Sequence, residues 1–448
     1  MLSKKEALDR ATSLVEKAIK AGADAADAVY SCDASTDVQV RLGLLEDVSR
    51  NEGEDIGLRV FLGQKSATIS SSNMNPELLA GLVSRALDMA REAPDDKYAG
   101  LAPEELLMKG AVPDIDSDDG GDPDPAALKQ RALACEDAAR AVPGVTNSEG
   151  GGASAGRSIF AIATSHGFAA ANSASGYGVH ASVLAGSGEG KERDYDYRSA
   201  RYEGDLPSAE SIGKNAGERT VKRLNPQNVK SGTMPILFDP RVGSSLIGHL
   251  LGGISGAAIA RRTSFLLEQL GQEIFDSNLS VIDDPLRKRG LNSRSFDAEG
   301  LPTSRSALID KGVLTGWMME SASARQLGMQ PTGHASRGVS GAPGVGASNV
   351  HLEGGSGSAA ELMADIKQGI YITELSGQGV NMVTGDYSRG AAGFLIMDGE
   401  VAGAVSEFTI AGNLKDMFRQ LRAADDVEFI RSVNVPTLRV DGMMVAGA

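Results

Sequence analysis

The stretch DPRVGSSLIGHLLGGISGAAIARRTSFLLEQLGQEIFDSNLSVIDDP, Asp239–Pro285, decides how the rest of the chain is read. Leu246–Ala260 within it is apolar or small except for His249 and Ser255. A short apolar run, Pro235–Phe238, precedes it and reads as a strand. A strand, a turn at Asp239-Pro240 and then a small-residue helix can place a reactive side chain near an element's start. The question it raises is whether His249 binds a metal.

A zinc hydrolase helix needs a second ligand about one turn on and a carboxylate beside the first to activate water. Here Leu250 follows His249, Gly253 stands four residues on and Ile254 five on. One imidazole does not hold zinc, and with no adjacent Glu nothing activates a bound water. His249 therefore reads as a buried histidine in a helix interface.

This stretch, with TSFL at Thr263–Leu266 and VIDDP at Val281–Pro285, resembles the TldD/PmbA (TldE) family. The runs ITELSGQGVNMVTGDYSRGAAGFLIMDGE, Ile372–Glu400, and FTIAGNLKDM, Phe408–Met417, are similar to the PmbA/TldE branch in particular. In that family TldD carries an HExxxH metal motif on this helix and a later cysteine ligand. The motif falls at about Gly248–Ile254, where His249 alone represents a remnant, and no cysteine follows Cys135. The resemblance implies the subunit without a metal site.

At 448 residues the chain should split into two or three domains. Its 55 glycines and few aromatics point to β-rich structure with tight turns and close backbone approaches. A net charge of −15 argues against a nucleic-acid surface. Cys32 and Cys135 read as free thiols suited to a reducing cytosol. MLSKKEALDR carries no apolar signal core, and Leu246–Ala260 falls short of the ~20 residues a membrane span requires. The expected location is cytoplasmic, with no membrane and no nucleic-acid partner.

In order, Ser3 with Glu6 forms a capping-box pattern that predicts a helix over 3–21. Strands follow at Ala28–Cys32, Asp37–Leu42, 56–62 and Ser66–Ser70, then a helix from Asn75-Pro76. Residues 93–125 read as a linker or surface loop. Asp124-Pro125 opens a third helix, Ser158–Ser165, Phe168–Ser173 and Gly178–Ala185 read as a strand meander, and Ala209–Arg223 as a helix. From Ser231 onward short apolar runs alternate with glycines, with helices at 321–328, 358–368 and 413–424. Asp310-Lys311-Gly312, Asp398-Gly399 and Asp441-Gly442 each read as a hairpin turn. The fold class is α+β: helix and antiparallel-strand units, then a large glycine-rich antiparallel β domain with a few embedded helices. The expected domains are 1–110, a central α+β segment 111–230 packed with it, and 231–448.

Several chemical patterns fail on context. Asp114, Asp116 and Asp118 resemble a calcium loop, but Asp119 takes the required glycine position and Pro125 that of the bidentate Glu. Gly152–Gly156 matches a nucleophile elbow, yet Ser148-Glu149-Gly150-Gly151 precedes it where an apolar strand is needed, so it reads as a flexible glycine loop. Gly190-Lys191 runs into Glu192, not Ser or Thr. Asp283-Asp284-Pro285 reads as a turn, because adjacent strand residues point to opposite faces. No two of His166, His180, His249, His334 and His351 lie within five residues, although His334, His351 and Glu353 could converge in space.

The resemblance implies a subunit of a heterodimeric zinc-dependent peptidase acting on unfolded or short peptides. The TldD-like partner would supply the zinc, and this chain would bind no cofactor and carry no catalytic residue. Glycine-rich strands can accept an extended peptide by strand addition, and Gly377, Gly379, Gly385 and Gly390 are the candidate contacts. Two alternatives stay open: a homodimeric hydrolase with its own site, and a non-enzymatic modulator of another protein such as DNA gyrase.

Overall fold

The computed structural model describes residues 2–121, 124–188 and 190–447. Helix α1, Lys4–Lys20, starts where the capping box put it, with Ser3 and Glu6 satisfying each other's backbone N–H groups. It buries Ala7, Ala11, Leu14, Val15 and Ala18 along one stripe. Strands β1 (Ala25–Arg41), β2 (Leu44–Leu62) and β3 (Lys65–Ser71) then form an antiparallel meander, so the two short strands read at 28–32 and 37–42 are one. Helix α2, Pro76–Glu92, follows its Asn75 cap. After α3 (Pro125–Arg140) come β4 (Val145–Thr164), β5 (Ala169–Ala185), β6 (Glu192–Ala200) and α4 (Ala209–Lys222).

These strands make one antiparallel sheet in the order β3-β2-β1-β4-β5-β6. Pairing of Ala28 with Ala163 joins β1 to β4, so the segments 1–110 and 111–230 share this sheet. Side chains alternate in direction along each strand. Ala28, Tyr30, Cys32, Val38 and Val40 of β1 lie under the four helices, whereas Val29 faces the C-terminal part of the chain.

The glycines at 150–156 are not a loop. They lie inside β4, and a Cβ on Gly151 would meet the Ala132 carbonyl and the Glu136 side chain at 3.0 Å. Their lack of side chains lets α3 settle on the sheet. Residues 93–125 also differ from a free surface loop. Ala102 and Leu107 are buried with Phe168, Phe296 and Leu301 between the sheet and the C-terminal part. Asp116 bonds Tyr202 and Arg289, and Asp118 bonds Arg157, so the acidic turn is tied down by ion pairs. Residues 122 and 123 of that segment lie outside the described residues.

The C-terminal part begins with β7 (Gly232–Phe238), β8 (Ser280–Asp283), β9 (Ser306–Asp310), β10 (Val313–Leu314), β11 (Ala335–Ser336) and β12 (Gly344–Val345). It continues with β13 (Val350–Glu353), β14 (Gln368–Ser376), β15 (Asp386–Met397), β16 (Glu400–Asn413), β17 (Arg422–Ala423), β18 (Val433–Asn434) and β19 (Leu438–Ala446). Strands β16-β15-β14-β7-β19 pair in that order, and Ile410 opposite Val445 pairs β16 with β19, closing the ring. Most pairs are antiparallel; β14 with β7 and β13 with β18 are parallel. Asp398-Gly399 turns β15 into β16, with both residues at positive φ as a two-residue hairpin requires. Asp441-Gly442 is instead a bulge within β19, because residues on both sides of it pair with β7 in one continuing direction. Helix α5, Pro240–Gly253, leaves β7 and packs into the large C-terminal core.

Candidate functional site

Asp239 caps α5 by accepting from the Arg241 N–H, and Pro240 takes the first helical position, where its missing N–H costs nothing. The Asp239 carboxylate also accepts from the Tyr371 hydroxyl at 3.1 Å, and Arg241 bonds Asp194 at 2.9 Å across to β6. These contacts fix the helix against both the ring and the first sheet. Leu246, Ile247, Leu250 and Gly253 form its buried stripe, and a short break at Ile254-Ser255 separates it from the helix Gly256–Ala260.

His249 lies beside that stripe. Its ring meets the edge of Tyr387 on β15, with centroids 6.1 Å apart. His249 Nε2 and the Tyr387 hydroxyl are both buried without a hydrogen-bond partner among the described residues. Burial, then the nearby Arg389 charge, hold the imidazole below its usual range, so it is neutral at pH 7. Burial pushes the Tyr387 phenol up, and it stays protonated.

The same hairpin carries the glycines picked from the sequence. Gly377, at positive φ, faces open space. Gly379 accepts from the Ser388 N–H at 2.6 Å, and Gly385 donates to the Asn381 carbonyl at 2.8 Å. Gly390 pairs with Ser376 on one side and Thr409 on the other. The fold thus places His249, Tyr387 and all four glycines around the β14–β15 connection, and the backbones of Gly379, Gly385 and Gly390 serve that connection's own packing.

Zinc does not fit the donors that α5 offers. The positions one and five residues after His249 are Leu250 and Ile254, both fully buried in the apolar core. Among the described residues, no group of three His, Cys, Asp or Glu could hold a metal ion. His334 and His351 join different carboxylates: His351 Nε2 meets Glu353 at 2.8 Å, and His334 Nε2 meets Asp283 at 3.2 Å. Burial would raise the Asp283 acid, but hydrogen bonds from His334 and Ser348 hold it below the usual carboxylate range. Asp284, its neighbour, points away toward Arg287. Tyr387 and the Asp283–His334 pair were not singled out from sequence, since partners more than 50 residues apart leave no local pattern.

The chain matches the PmbA/TldA metallopeptidase domain 1 over residues 26–90, the central domain over 118–224 and the C-terminal domain over 231–447. It belongs to the PmbA/TldD metallopeptidase family. Within that family it is 34% identical over 447 residues to the metalloprotease PmbA of Escherichia coli O157:H7, covering 99% of this chain and 97% of that one. A crystal structure from Bacteroides thetaiotaomicron, described as a candidate modulator of DNA gyrase, superposes with a TM-score of 0.91 at 26% identity, covering 100% of both chains. TldE from Thermococcus kodakarensis shares the fold, with a TM-score of 0.87 at 22% identity over 97% of this chain and 99% of that one. Among the described residues, no helix of this PmbA/TldD family member is long and apolar enough to cross a membrane.

Proposed function

We propose that this chain is the PmbA/TldE-type subunit of a peptidase completed by a TldD-type partner, and that the partner holds the zinc. The observation that carries this reading is the replacement on α5. Where the family's metal motif would put a Glu and a second His, Leu250 and Ile254 are wholly buried in the core. A charged or metal-ligating side chain at either position would lose that packing and face no polar partner.

On this reading the chain contributes walls, binding surface and the geometry of an enclosed chamber rather than a nucleophile. Substrates are unfolded or short peptides, recognised chiefly through their backbones, which suits a sequence-tolerant activity. The open backbone at Gly377 on the β14–β15 connection is the contact point we assign to them. The family's metalloprotease naming of the Escherichia coli relative supports the reaction class.

The test is reconstitution. The purified chain is assayed on a disordered protein alone, with a TldD-type partner, and with that partner plus zinc. Cleavage only on mixing, abolished by chelator, is the expected result. Cleavage by the chain alone, blocked by chelator and by His249→Ala, would overturn the proposal in favour of a self-sufficient hydrolase.

A further inference from the structure

A cleft of about 220 Å³, open to solvent, lies between the helix-free face of the first sheet and the C-terminal part. Arg294 and Arg337 line it, with Ile115, Phe160, Asn172 and Phe296 around them. The Arg337 side chain is 0% exposed. Its Nη1 donates to Asp27 at 2.5 Å, but its Nε and Nη2 have no acceptor among the described residues. Arg294 spends Nη1 and Nη2 on the carbonyls of Ala335 and Gly346, leaves Nε without a partner, and forms no ion pair among the described residues. The carboxylate beside it, Asp297, is occupied by the backbone N–H groups of Glu299, Leu301 and Ala335 at 2.9–3.1 Å.

A guanidinium buried without a counter-charge is costly, and its planar fork matches an oxyanion with parallel N–H donors. Three arginines near the start of α5 differ: Arg198 of β6 and Arg219 of α4 meet Asp196 at 2.7 and 2.9 Å, and Arg241 of α5 meets Asp194 at 2.9 Å. Those arginines are each paired with an aspartate, whereas Arg294 has no ion pair among the described residues and Arg337 shares the single carboxylate of Asp27 with Arg59. The phenyl rings and Ile115 beside its two guanidiniums suit a ligand with an apolar body rather than an inorganic anion.

We propose that this cavity binds a small organic carboxylate of the size and chemistry of a short peptide's C-terminal end. The acid group sits on the free N–H groups of Arg294 and Arg337, and the body lies against Phe160 and Phe296. Binding would tie the sheet to the C-terminal part and needs neither zinc nor a partner subunit.

Isothermal titration of the full chain with N-acetyl-dialanine, its C-terminal amide and inorganic phosphate at fixed ionic strength tests this. The free acid is expected to bind, with the amide weaker by about tenfold or more through the loss of one charge-assisted contact, and phosphate weaker by a similar factor through the loss of the apolar body. Arg294→Lys, which removes the fork, and Ala174→Leu, which fills the cavity from β5, are expected to weaken the acid by a similar factor while leaving the circular dichroism unchanged. Equal affinity for acid and amide, phosphate binding as tightly as the acid, or unaltered binding in the folded variants would overturn the assignment.

Discussion

Glu299 is 4% exposed, and its carboxyl accepts from the Ser321 N–H at 2.8 Å and from the Ser321 hydroxyl at 2.7 Å. Burial dominates over these bonds and, with Asp297 nearby, pushes its pKa up to about 7; the Arg59 charge acts the other way. The folded state therefore binds a proton that the unfolded chain has released above its ordinary value of 4.5. Stability from this group is fully present below the unfolded value and is lost as pH rises to the folded one, roughly 3 kcal/mol in all. His180 and His249, held low chiefly by burial, slope the opposite way below pH 6.5. Glu299→Gln should thus remove a decline in unfolding free energy between about pH 5 and 7 that the parent shows. Urea titrations of both proteins across that window check it; identical pH slopes would refute the assignment. None of this was legible in sequence, where Glu299 sits in the short run Phe296–Pro302 with no helix or strand periodicity and its surroundings depend on Ser321 and Arg59 arriving from far along the chain.

Helices and turns with local signatures were read well, because their causes lie within a few residues. Ser3 and Glu6 marked the start of α1, Asn75-Pro76 that of α2, and Asp398-Gly399 a true hairpin. Asp441-Gly442 has the same dipeptide and became a bulge, since pairing with β7 on both sides overrides the turn preference. The glycines of β4 were misread for a related reason. Their burden is close approach to α3, a contact that sequence does not display. Helix α4 relies on the same device: a Cβ on Gly213 would collide with the Cys135 carbonyl of α3. Gly213→Val should cost about 1–3 kcal/mol by overpacking. Gly204→Ala, where a Cβ meets nothing within 4 Å, should be close to neutral. Equal urea midpoints for the two variants would show that the helices have room to separate.

Across the whole molecule, the sheet and the C-terminal part are joined by a buried ion cluster. Asp27 meets Arg59 at 3.0 Å within the sheet and Arg337 at 2.5 Å from the other side. Burial opposes ionisation of Asp27, yet the two guanidinium charges hold it below the usual carboxylate range. Arg337→Leu should destabilise by about 3 kcal/mol, the lower end for breaking a buried pair, because Arg59 still faces Asp27. A change in calorimetric midpoint no larger than that of a surface Arg→Leu control would contradict a joining role. This scale was legible only through resemblance, which covers the chain nearly end to end; how the parts dock, through Gly57 under Val339 and the buried segment near Leu107, has no sequence signature. On α5, Leu250 and Ile254 fill the core beside a single imidazole, which leaves the isolated chain without a zinc site. Zinc content of the isolated chain, purified without chelator and dialysed against zinc, tests it most directly. No stoichiometric metal and no change on His249→Ala are expected, whereas one tightly held zinc per chain, lost with His249, would contradict the assignment of the metal to a partner.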